Sequence, residues 1–190
     1  MRATANLSEQ DLTALKTAIE GTLDFESQPM SLLKPKGDVL SKIYAKLEKK
    51  DVFVQYLLSL SNSDKAKSRQ FAMYGFEILS ELHLTSEELS GAKAQFMQIF
   101  EKALQDSEVA VKVAALKAIS AFVSGIDDSG VALEFSPVLP MLLNVIVEAL
   151  RADEDQGRDA LGSLCELTSV HPECWKNETS KLLNVAAQIA

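Results

Sequence analysis

Cysteine is scarce in this chain: Cys165 and Cys174 are the only two in 190 residues. So few exclude a disulfide framework and point to a reducing compartment. Glycine and proline are also few, eight and five, which argues against a turn-rich all-β protein. Aromatic residues make up only 6%, yet 47% of the chain is hydrophobic, too much for a disordered tail and enough for a core. Basic residues are in deficit, 19 against 27 acidic, for a net charge of −8. That balance disfavours direct nucleic-acid binding and fits basic partners better. Residues 1–10 are polar and read as no secretory signal. The richest apolar stretch, 138–150, is interrupted by Asn144 and Glu148, so no membrane span is expected.

Catalytic and metal motifs are missing too. There is no phosphate-cradling glycine loop, no paired zinc cysteines and no His-Glu-x-x-His, and His83 and His171 have no metal-spaced partners. No enzymatic activity, cofactor or metal is expected. Cys165 sits near core positions of a helical pattern and reads as a buried structural thiol. Trp175 reads as a packing anchor between units or, alternatively, as a binding platform.

What is present is helical spacing. Leu12, Leu15, Ile19 and Leu23 recur every three or four residues behind an N-cap pattern, Ser8 with Asp11. Residues 27–36 contain Pro29 and Pro35 and read as a loop. Helical patterns then cover 38–49, 52–60, 64–82, 87–104, 108–124, 137–150, 155–170 and 172–189. Thr85-Ser86-Glu87-Glu88 resembles a capping box, and Ser136-Pro137 reads as a helix start with Ser136 as the cap.

These helices repeat. A shift of 43 carries Phe53, Tyr56, Leu57 and Leu60 onto Phe96, Ile99, Phe100 and Ala103. It also carries Arg69, Ala72, Phe76 and Leu79 onto Lys112, Ala115, Ile119 and Phe122. A shift of 46 takes Phe96, Ile99 and Phe100 to Leu142, Val145 and Ile146, and one of 45 takes Ala115, Ile119 and Phe122 to Ala160, Leu164 and Leu167. A helix pair of about 40–47 residues is the period of HEAT-type solenoids, in which stacked pairs bury a face that no single pair can bury. The expected fold is therefore all-α, a right-handed α-α superhelix of about four pairs. The expected units are 8–50, 51–84, 86–125 and 136–170, with a half unit at 172–190. The half unit leaves Leu182, Leu183 and Ala186 without a partner helix, which reads as excision from a longer solenoid.

Asp106-Ser107-Glu108-Val109-Ala110-Val111-Lys112-Val113-Ala114-Ala115 resembles a HEAT motif, with Asp in the turn, then Val, a basic residue and Ala. The preceding unit keeps Arg69 and Ala72 but has Ser63 at the Asp position, and the following one has Gly157 at the basic position. Two further stretches carry a family likeness. One runs from Leu57-Leu58-Ser59-Leu60-Ser61-Asn62-Ser63 to Leu82; the other from Phe135-Ser136-Pro137-Val138-Leu139-Pro140 through Ala160-Leu161-Gly162-Ser163-Leu164-Cys165 to His171-Pro172-Glu173. Both resemble the importin-β (karyopherin-β) family, in its importin-5 or importin-β3 branch, near the N-terminal third. The resemblance implies a nuclear transport receptor found in cytoplasm and nucleus. Its partners would be basic import cargo on the concave face, the GTP form of Ran, and phenylalanine-glycine nucleoporin segments held between the first helices of successive pairs. The alternative is a HEAT scaffold outside transport, such as a phosphatase scaffold or a chromosome-organising subunit.

On the second helix of each pair, residues opposite the core positions should line the concave face. They are Gln70, Tyr74, Glu77 and Glu81, then Val113, Lys117 and Ser120, then Arg158, Gly162 and Glu166. The candidate partner-binding residues among them are Gln70, Tyr74, Glu77, Glu81, Lys117, Arg158 and Glu166; the other reading of this row is an ordinary solvated face. Asp153, Glu154 and Asp155 form an acidic turn that either favours the start of the next helix or contacts a basic ligand. Lys34, Lys36, Lys42, Lys46, Lys49 and Lys50 form a basic stretch, a solvated face or a contact for an acidic partner.

Overall fold

The computed structural model describes residues 7–82, 84–176, 180, 183, 184 and 187. In chain order the helices are α1 (Glu9–Glu20), α2 (Met30–Lys46), α3 (Lys50–Ser61), α4 (Ala66–Leu82), α5 (Ser86–Leu104) and α6 (Val109–Ser124), followed by α7 (Ser129–Leu133), α8 (Leu139–Ala152) and α9 (Glu154–Val170). The described residues contain no strand. Short connections fold consecutive helices into pairs, α1 on α2, α3 on α4, α5 on α6 and α8 on α9. The second helices form the tightly packed layer: α2 lies on α4, α4 on α6 and α6 on α9. The first helices touch one another far less. A stack closer on one side than on the other curves, so the second helices line its inner face. The protein is an all-α repeat solenoid.

The repeat predicts the core. Phe53, Leu57, Ala72, Phe76 and Leu79, together with Phe96, Phe100, Ala115, Ile119 and Phe122, are all 0–2% exposed. Leu142, Val145, Ile146, Ala160, Leu164 and Leu167 continue the row at 0–3%. Ala72, Ala115 and Ala160 are the close-approach residues, each fully buried. Four phenylalanines bind the middle of the stack. The Phe96 ring lies 5.2 Å from Phe76, 5.7 Å from Phe100 and 4.8 Å from Phe122, within the range of favourable aromatic pairs.

Two helix starts match the sequence. At α1 the Ser8 hydroxyl accepts from the Asp11 N–H while the Asp11 carboxylate accepts from the Ser8 N–H. Thr85 and Glu88 make the same reciprocal box at α5. Two other starts differ. Residues 30–36, expected in a loop, form the first turns of α2, with Pro35 inside the helix. Pro35 withholds a donor from the Ser31 carbonyl, but both residues are exposed, so water can satisfy it. Burial of Leu33 and Leu40 (both 0%) and Tyr44 (3%) along one face holds the turn. Ser136 does not cap a helix: its hydroxyl donates to the Leu133 carbonyl at 2.7 Å, inside a 3-10 turn, Ser136–Val138, that precedes α8. The unexpected α7 is capped by Asp128, which accepts from the Gly130 and Val131 N–H groups, and delivers Phe135 to within 5.4 Å of Phe122.

Residues 129–152 are, by length and composition, apolar enough to cross a membrane, contrary to the expectation from the sequence. They fold as α7, the 3-10 turn and α8 rather than as one straight span. Leu139, Leu142, Leu143, Val145, Ile146 and Ala149 of α8 are 0–3% exposed within the core. Trp175, in a final 3-10 turn (Pro172–Trp175), is a buried packing residue at 4% exposure. Cys165 is exposed rather than buried, because α9 has a second-layer neighbour, α6, on one side only among the described elements. Leu182, Ala186 and His83 lie outside the described residues; Leu183 is 66% exposed.

Candidate functional site

The turns inside the pairs α3–α4, α5–α6 and α8–α9 share one device. The Ser63 hydroxyl accepts from the Lys65 N–H, Asp106 from the Glu108 N–H and Asp153 from the Asp155 N–H. Each is a polar side chain closing a turn on the backbone two residues ahead. Ser63 therefore replaces Asp106 without loss of the turn. Asp153 additionally accepts from the Gln156 N–H, which makes it the N-cap of α9. Within the acidic turn Glu154 pairs with Arg158 on its own helix at 2.5 Å, and Asp155 is exposed. Arg158 thus turns along α9 rather than across the inner face.

Basic residues at the repeat's fixed position stitch adjacent units. Arg69 donates to both carboxylate oxygens of Asp106, at 2.6 and 2.9 Å, and to the Ser63 and Asp64 carbonyls at 2.9 Å. Burial works to raise the Asp106 pKa, but the Arg69 guanidinium and the Glu108 N–H outweigh it and hold the carboxyl below its ordinary 3.8. One repeat on, Lys112 reaches Glu148 at 2.8 Å. At the next position a basic side chain does not fit. Gly157 is buried, and a Cβ there would lie 2.7 Å from the Leu150 Cα. The close approach of α8 and α9 selects glycine.

On the inner face the structure brings four of the sequence-derived residues together. Gln70, Tyr74, Glu77 and Lys117 line a shallow cleft of about 100 Å³ with Lys34, Gln156 and Asp159. Tyr74 of α4 donates its hydroxyl to Asp38 of α2 at 2.5 Å, and the Lys34 ammonium sits 5.0 Å above its ring. Lys117 of α6 donates to Asp159 of α9 at 3.0 Å and lies 3.6 Å from Glu77 of α4. One ammonium therefore links three successive second helices. Burial works to lower the Lys117 pKa, but the Glu77 and Asp159 carboxylates outweigh it and leave it raised. Glu77 is held above the ordinary carboxylate range by burial, which Lys117 only partly offsets. Glu81 is raised by burial and then by the like charge of Glu166. Glu81 and Glu166 are both exposed, so this end of the inner face carries carboxylates that repel one another and favour a cationic ligand.

Val113 and Ser120, expected on the open face, are buried at 6% and 3%. α6 lies between α4 and α9 with α5 and α8 also against it, so little of its circumference is left open. Asp38 and Asp159 were missed. Their signal was long-range: oppositely charged or polar partners about one repeat apart, such as Lys117 and Asp159 at 42 residues, Lys93 and Glu134 at 41, and Arg69 and Asp106 at 37. Among the described residues no group of three or more His, Cys, Asp or Glu is placed to hold a metal.

The outer side offers a larger feature. A groove of about 780 Å³ opens where α3 and α5 splay apart. Leu58, Met73, Ile99, Ala103 and Val111 supply its apolar lining, and Arg69, Asp106 and Lys102 its polar rim.

Stacked pairs with a polar inner row and a groove of mixed polar and apolar lining between first helices define a helical-repeat protein whose usable surfaces are the faces of the stack rather than one enclosed pocket. Its repeat step of 43–46 residues is the HEAT length, longer than the 34 residues of a classical TPR unit. The chain belongs to the importin-5-like repeat family: the model of the family described as IPO5-like, TPR repeats matches residues 38–185. No curated protein and no solved structure matches it.

Proposed function

We propose that this chain works in nuclear transport, as part of an importin-type receptor that acts by binding proteins rather than by catalysis, in cytoplasm and nucleus. The observation that carries the reading is the family membership over residues 38–185, joined to a stack whose two faces differ in chemistry. Basic cargo is assigned to the inner face, where Glu81 and Glu166 are exposed carboxylates and the half-buried Glu77 lies near Glu81. Phenylalanine-glycine segments are assigned to the groove between α3 and α5, where the half-buried Leu58 and Ile99 offer an apolar contact for an aromatic ring among mostly polar lining residues. The GTP form of Ran is the third partner, expected of the family.

The test immobilises the chain and offers Ran loaded with GTP or with GDP, and separately a phenylalanine-glycine repeat peptide. The reading expects retention of Ran-GTP over Ran-GDP, and peptide binding that Ile99→Asp abolishes. Retention of neither Ran nor the peptide would overturn it.

A further inference from the structure

Among the described residues nothing packs on the outward face of α2, and its chemistry is unlike that of the other described faces. Leu32, Pro35, Val39, Lys42 and Lys46 are all exposed, and their spacing of three, four, three and four puts them on one stripe of the helix. The N-terminal half of the stripe is apolar, with Leu32 56% and Val39 41% exposed. The C-terminal half is basic and is extended by exposed Lys49. No carboxylate falls on the stripe itself. Asp38, to one side, is engaged by Tyr74, while exposed Glu48, like Lys49 itself, and Asp51 lie beyond the end of α2.

The lack of partners sets these lysines apart. Elsewhere among the described residues most cations are ion-paired, among them Lys16 with Glu20, Lys50 with Glu88, Lys65 with Glu26, Arg69 with Asp106, Lys93 with Glu134 and Lys112 with Glu148, while the exposed Arg151 of α8 is not. Lys36 is also engaged, by Thr22 and Gln28. Among the described residues the side-chain ammonium groups of Lys42, Lys46 and Lys49 have neither an ion-pair nor a hydrogen-bond partner, although the chain has 27 acidic residues against 19 basic ones. Lysines near the C-terminus of a helix are favourable by themselves. That effect accounts for Lys46, but not for the two exposed aliphatic side chains continuing the same stripe.

We infer that this stripe docks an acidic amphipathic helix of a partner protein, with apolar side chains against Leu32 and Val39 and carboxylates against Lys42, Lys46 and Lys49. Charge complementarity selects the acidic end of the ligand. The three-and-four spacing matches the ridges of a second helix laid along α2. A second copy of this chain is disfavoured by a net charge of −8 on each copy, and an anionic membrane is separated from an acidic helix by the vesicle control below. The inference does not depend on the transport reading, because neither Ran nor cargo enters it.

The probe is a fluorescein-labelled 16-residue helical peptide with leucines in one half and glutamates three and four residues apart in the other. Its controls are a Glu-to-Gln version, phosphatidylserine vesicles, and light scattering of the chain alone. Binding in the micromolar range is expected, falling at least tenfold between 50 and 500 mM salt. The double variant Lys42→Glu, Lys46→Glu is expected to weaken it at least tenfold and Val39→Asp at least fivefold; Val39→Asp should leave the melting temperature nearly unchanged because its side chain is exposed, and the double variant should lower it only by a few degrees through the lost helix-end charge. Equal affinity for the Glu-to-Gln peptide, indifference to both variants, preference for vesicles over peptide, or self-association through this face would each overturn the inference.

Discussion

Two regions of the molecule share the same helix-pair plan and hold together differently. In the middle, α6 is packed by α4, α5, α8 and α9, and its Ala115, Leu116, Ala118, Ile119 and Phe122 are all 0% exposed. In the first pair, α1 has one buried residue, Leu12, at 8%. Polar links at the edge do much of the work there. The Tyr44 hydroxyl donates to Glu20 at 2.6 Å, Lys16 pairs with Glu20 at 2.9 Å, and Lys36 donates to the Thr22 carbonyl at 2.8 Å. Partly buried or exposed links of this kind contribute roughly 0–1.5 kcal/mol each, whereas a buried phenylalanine contributes several. Cohesion in a solenoid therefore comes mainly from neighbours on both sides, and a pair flanked on one side is the weaker member.

The largest effect should come from breaking the strong region. Phe122→Ala removes a ring that touches Phe96, Phe100 and Phe135, and it should cost about 3–5 kcal/mol in urea unfolding. Gly157→Ala attacks the same region from the α8–α9 contact. With a Cβ 2.7 Å from the Leu150 backbone, it should cost about 2–3 kcal/mol, visible as a lowered melting temperature.

Asp106→Asn cuts the stitch between units and should cost about 1–2 kcal/mol at pH 7, since it weakens a charged, partly buried pair. The pH dependence follows from the lowered pKa of Asp106. A carboxyl lowered in the folded state adds stability above its unfolded value of 3.8, and that stability is lost as pH falls through the folded value. The gap between wild type and variant should thus shrink when unfolding is measured at pH 3 instead of pH 7.

The smallest effect sharpens the comparison from the weak side. Glu48 has φ 55° at the end of α2, where the Lys49 N–H donates to the Tyr44 carbonyl and the Glu48 N–H to that of Ala45. This is the position in a Schellman ending where glycine is favoured. Glu48→Gly should add about 1 kcal/mol, seen as a higher urea midpoint, without altering the middle of the stack.

Much of the fold was legible because the same register is buried in each unit. Phe53, Phe96 and Leu142 occupy equivalent places, so a shift of 43 to 46 finds the core without knowledge of contacts. What one helix shows by itself misleads where its surroundings decide. Glu77, Ser120 and Cys165 share one register, yet they are half-buried, buried and exposed in turn, following the neighbours each helix has. Pro35 signalled a loop, and burial of Leu33 and Leu40 overrode it. Of the inner face, Gln70, Tyr74, Glu77 and Lys117 were found from helical spacing. Asp159 and Asp38 join them through pairings that span a whole repeat, which a reading along one helix does not see.

Hydrogen exchange along the free chain tests the two-region account most directly. The slowest amides should lie in α4 and α6, with α1 exchanging at least a hundredfold faster and Phe122→Ala lowering protection in α4, α5 and α6 together. Protection of α1 equal to that of α6, or a loss confined to α6 alone in the variant, would contradict it.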